Sequence, residues 1–109
     1  MEESAFLQIK QLEVEVVGVL SPIDIYSLDR PQQKLVTTIK QDLVDARLDV
    51  RDYELAETRT EQLENAQAAK QRLEVLRKHI LAASEYNLFS AVDVAQLTAH
   101  LDTISGRLN

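Results

Sequence analysis

Apolar side chains recur at helical spacing over most of this chain, and the longest such stretch runs from Pro31 to Ala83 with no Gly and no further Pro. Within it Val36, Ile39, Leu43, Ala46, Val50 and Tyr53 follow three-four spacing, the a/d seam of a heptad pattern. A second run, Leu63, Ala66, Ala69, Leu73, Leu76, Ile80 and Ala83, keeps the period with one slip. Between the runs, Glu57 to Gln62 carries no apolar side chain, so the register shifts there as a stutter, a hydrated seam or a bend. Asp29-Arg30-Pro31-Gln32 supplies an N-cap carboxylate, a proline in the first turn and a glutamine that can reach back as in a capping box. Polar residues and Asn87 close the other end.

Two shorter segments flank this stretch. Phe6, Ile9, Leu12, Val16 and Leu20 share one helical face, with Ser4 as N-cap and Glu2 and Glu3 as favourable early acids. The alternation Leu12-Val14-Val16 around Glu13 and Glu15 also suits a strand, which Ile23 to Tyr26 could pair across Gly18 to Pro22. Helix is preferred, because an isolated two-stranded hairpin is marginal. Ile23 to Leu28 is expected to pack back as a connector, with Tyr26 half-buried and its hydroxyl wet. At the other end, Ser90 and Asp93 form a cap, and Val94, Leu97, Leu101, Ile104 and Leu108 form a further seam. The short link before it predicts an antiparallel pair closed by Leu88 and Phe89.

The expected fold is therefore all-α. It has a long heptad-patterned helix (about 31–83), a C-terminal antiparallel helix (about 91–107) and an N-terminal helix or short β segment (about 4–20). A continuous helix of about fifty residues spans roughly 75–80 Å, more than one short chain can cover. A second chain is the expected cover, because no turn residue marks a fold-back. The alternative is a compact four-helix bundle with a break near 57–62.

Composition narrows the function classes. A length of 109 residues suits one domain, 1–109, and two glycines and two prolines are too few for the turns of an all-β chain. A net charge of −6 opposes binding to nucleic acid and to anionic membranes. No apolar run approaches the roughly 20 residues of a membrane span. Zero cysteines exclude disulfides, thiolate catalysis and cysteine zinc sites. Without a basic-then-apolar leader, the cytoplasm is the expected location.

Charge is ordered along the long helix. Asp42, Asp45, Asp49 and Asp52, then Glu54, Glu57, Glu61 and Glu64, form acidic columns, and the sign flips at Lys70, Arg72, Arg77 and Lys78. These columns read as a solvated face partly offset by Arg47, Arg51 and Arg59, or as complementary surfaces in an antiparallel homodimer. The acids lie in series on one helix, with neither a Gly-rich phosphate loop nor a Glu-x-x-His pair. No enzyme activity, cofactor or metal is expected. His79 and His100 flank the seam residues Ile80 and Leu101 at similar distances from the connecting loop. A metal clip between them is conceivable, and two surface histidines at a seam edge are the expectation.

These features predict a small non-enzymatic helical protein that self-associates, with a homodimer favoured, and acts through protein–protein contacts as adaptor, scaffold or regulatory subunit. The predicted contact is the seam of Val36, Ile39, Leu43, Ala46, Val50 and Tyr53, continued by Leu63, Leu73, Leu76 and Ile80. One alternative is an acidic inhibitor that mimics nucleic acid and places the Asp42 to Glu64 columns in a basic cleft. Another is a helical metal-dependent hydrolase, weakened by the lack of a second carboxylate helix.

Overall fold

The structure, a computed structural model, describes residues 4–109. Each helix begins where a side chain can satisfy the free N–H groups of a first turn. Ser4 accepts from the Leu7 N–H and opens α1 (Ala5–Leu20). Asp29 and Gln32 form a reciprocal capping box at α2 (Arg30–Glu54). Thr58 accepts from the Glu61 N–H at α3 (Arg59–Glu85). Ser90 and Asp93 form a second reciprocal box at α4 (Ala91–Gly106). The N-terminal segment is thus a helix and not a strand, while the expected roles of Glu2 and Glu3 lie outside the described residues.

The long apolar stretch is not one rod. Helix α2 stops at Glu54, four residues form a turn, and α3 runs back against α2. Of the two arrangements open to the sequence, the chain adopts the compact four-helix bundle, with extents of 48 × 26 × 18 Å. The physical reason is the seam itself. Fully burying each Val, Leu or Ile contributes roughly 1.5–3 kcal/mol, and folding back lets one chain collect that gain without a partner. The turn uses neither Gly nor Pro, so the absence of turn residues was misleading. Its readable mark is Thr58-x-x-Glu61, the spacing of a helix start.

Paired contacts set the topology. Phe6 with Glu54 and Glu13 with Arg47 run α1 antiparallel to α2. Asp42 with His79 and Asp49 with Arg72 do the same for α2 and α3. Helix α4 returns along α3 and also packs on α1, closing an up-down-up-down bundle. Its core is aliphatic and continuous across all four helices, with Ile9, Leu12, Ile39, Val50, Leu76 and Leu101 essentially inaccessible. Leu88 and Phe89 close the α3–α4 end as expected.

The connector between α1 and α2 lies over the part of α2 that extends beyond the end of α1. A 3-10 turn at Ile25–Ser27 is capped by Asp24, whose carboxylate accepts from the Tyr26 N–H at 3.0 Å. Gln33 Nε2 donates to the carbonyls of Ile25 and Leu28 at 2.9 and 3.1 Å, fastening the connector to α2. Ile23, Ile25 and Leu28 pack on the core. Tyr26 does not, being 90% exposed, because the tight turn directs it away from the helices.

Candidate interaction surfaces

The seam read as a subunit contact is the chain's own core. Val36, Ile39, Leu43, Ala46, Val50, Leu73, Leu76 and Ile80 are all buried within the single chain. Tyr53 is half-buried, and its hydroxyl donates to the Arg107 carbonyl at 3.2 Å, anchoring the end of α4. Leu63 alone of the ten stands out, 48% exposed near the α2–α3 turn.

The acidic column likewise finds partners inside the molecule. Arg72 of α3 bridges Asp49 at 3.3 Å and Asp45 at 3.8 Å. Asp42 binds His79 Nδ1. The first half of the column, Asp42 to Asp49, thus pairs with α3 of the same chain and is not a bare acidic face. Glu57, Glu61 and Glu64 remain exposed. The histidines pair with carboxylates of different helices, His79 with Asp42 of α2 and His100 with Glu15 of α1 at 3.2 Å. Among the described residues, no group of three His, Asp or Glu side chains could hold a metal ion, and no helix is long and apolar enough to cross a membrane.

Two features survive as candidate sites. The first is the outer face of α1, where Leu7, Val14 and Val17 are 45%, 73% and 53% exposed. Half a turn of helix separates these from the core residues, so α1 is apolar on two opposite faces, a composition suited to a helix with neighbours all round. The strand-like alternation of this segment has the same origin. Leu12 and Val16 turn inward and Val14 outward, while Glu13 reaches Arg47 of α2 on one flank and Glu15 reaches His100 of α4 on the other. The single helical face of Phe6, Ile9, Leu12, Val16 and Leu20 does not include Leu7, Val14 and Val17. Those leftover apolar positions were the available signal.

The second is a cavity of about 310 Å³ where α1 ends. Leu20 and Val36 form its buried floor, Val17, Ile23, Ile25 and Leu28 its walls, and Ser21 and Lys40 its polar rim. In comparisons with known proteins, no family model, no curated protein and no solved structure matches the chain.

Proposed function

We propose that this chain is a small non-enzymatic cytoplasmic protein that self-associates and acts through protein–protein contacts, as an adaptor, scaffold or regulatory subunit. The contact lies on the outer face of α1. The carrying observation is the exposure of Leu7, Val14 and Val17 on a face whose remaining outward positions, Lys10, Gln11, Gly18 and Ser21, include no carboxylate. In a chain of net charge −6, two copies repel over much of their surface, and a carboxylate-free apolar stripe lets them approach. The flanking acids Glu13 and Glu15 are already engaged within the chain.

A two-fold antiparallel pairing of α1 with its copy sets Val14 against Val14 and Leu7 against Ser21. Gly18 has open space around it and admits the Lys10 stem of the partner helix. Such a contact is self-complementary, as a two-fold interface requires. A helix of 16 residues is about 24 Å long, so one helix pair buries less than the ~1,000 Å² of a stable complex. The dimer is therefore weak and reversible.

Sedimentation equilibrium across micromolar to millimolar concentrations tests this. The wild type should show a concentration-dependent rise in mass, and Val14→Glu should abolish it with the helical circular dichroism unchanged. A wild type that stays monomeric throughout, or a Val14→Glu variant that associates equally, would remove α1 as the contact.

A further inference from the structure

We propose that the cavity between the end of α1, the connector and α2 binds a free aliphatic carboxylate, an alkyl chain with one anionic head. This site borders the self-association face and shares Val17 and Ser21 with it, but its argument does not rest on that association.

The lining selects the chain. Val17, Leu20, Ile23, Ile25, Leu28 and Val36 are all aliphatic, so the walls offer dispersion and burial to a flexible chain and no ring to stack on a flat one. The volume of about 310 Å³ lies at the lower end of the ~300–1,000 Å³ range of small-ligand sites. With about 30 Å³ for a water-sized group, the cavity accommodates a chain of about ten carbons. The site is held open by hydrogen bonds to its wall. Gln33 fixes the Ile25 and Leu28 carbonyls, and Ser27 Oγ donates to the Asp24 carbonyl at 2.7 Å.

The rim selects the head group. Lys40 lines the cavity, and among the described residues no carboxylate pairs with it. Asp24, between the wall residues Ile23 and Ile25, has its carboxylate engaged by the Tyr26 N–H. From Arg30 to Gln41 the chain holds no Asp or Glu, and among the described residues no acid pairs with Arg30 or Lys34. This is a cationic segment in a protein of net charge −6. An anionic head therefore meets an unneutralised ammonium beside an apolar pocket, whereas a cationic head meets repulsion.

The test is a titration of ¹⁵N-labelled protein with sodium decanoate, followed by amide shifts, with decyltrimethylammonium as the opposite-charge control. Both are kept below micelle-forming concentrations. Saturable shifts confined to residues 17–28 and 36–40 are expected for decanoate, with the cationic analogue at least tenfold weaker. Lys40→Glu should weaken decanoate about tenfold or more without changing the melting temperature, and Lys40→Arg should retain it. At protein concentrations where the wild type is monomeric, Val14→Glu should bind decanoate as the wild type does, which separates this site from the self-association surface. Shifts that fail to saturate or spread over the whole protein would overturn the assignment, as would equal affinity for the two head groups or an unaffected Lys40→Glu variant. Shifts at these residues on phosphatidylglycerol vesicles, without a response to free decanoate, would overturn the free carboxylate in favour of a lipid surface.

Discussion

Asp42 is 7% exposed, an acidic side chain buried in the middle of a helix. A carboxylate at that depth is costly without a partner, and the one it finds is His79 of α3. The contact joins the Asp42 carboxylate to Nδ1 of His79. Asp42→Ala should destabilise the bundle by about 1–3 kcal/mol, the cost of stranding a partner in a half-buried site. A double-mutant cycle with His79→Ala should give a coupling of about 1 kcal/mol by urea denaturation. A coupling indistinguishable from zero would mean the contact contributes nothing to stability. The pair also marks a limit on what single residues reveal. Both the acid column and the sign change at Lys70 are legible along the chain. Which cation meets which acid depends on whether α3 folds back, and that is decided far from either residue.

The ends of the elements were more legible than their partners. Asp29 with Gln32 and Ser90 with Asp93 were readable because capping is local chemistry, complete within four residues. The end of α3 is local in the same sense. The Leu88 N–H donates to the Ala83 carbonyl at 2.9 Å and the Asn87 N–H to the Ser84 carbonyl at 3.0 Å, a Schellman closure. It places Asn87 at a φ of 62°, in the left-handed region. Leu88 and Ala83, the positions that can add an apolar contact to this motif, are both buried. Glycine would relax the backbone there but add freedom to the unfolded chain, so Asn87→Gly should stay within about 0.5 kcal/mol of wild type. Asn87→Val should cost about 1–2 kcal/mol, since a β-branched side chain resists positive φ. Denaturant midpoints distinguish the two, and equal midpoints would mean that the turn adopts another conformation in solution. The N-terminal segment was ambiguous for the converse reason. Its alternation satisfies a strand locally, and only the flanking contacts to Arg47 and His100 resolve it as a helix.

For the whole molecule, one choice separates a rod from a bundle, and the turn between Glu54 and Arg59 makes it. The α2–α3 contacts are nearly indifferent to whether the two helices belong to one chain. Two rods laid antiparallel would satisfy the same seam, and Arg72 would reach Asp49 of the other copy as it does within one chain. What differs is the cost of the turn against the cost of bringing two chains together. Exchange of an identical element is accordingly an accessible route to a dimer. The turn's stop signal is the Thr58 cap, worth about 1 kcal/mol, and Glu57 and Thr60 are the polar residues that fall on the first seam when that seam is extended. Combining Glu57→Leu with Thr58→Ala should remove the cap and extend the first seam through the turn. We expect this variant to form an elongated dimer of doubled mass by light scattering, with a scattering dimension well beyond the 48 Å of the bundle. Adding Val14→Glu should leave that dimer intact, because its contacts are the buried seam and not the outer face of α1. A double variant that stays compact and monomeric, merely melting earlier, would show that burial of the seam within one chain enforces the fold-back whatever the turn contains.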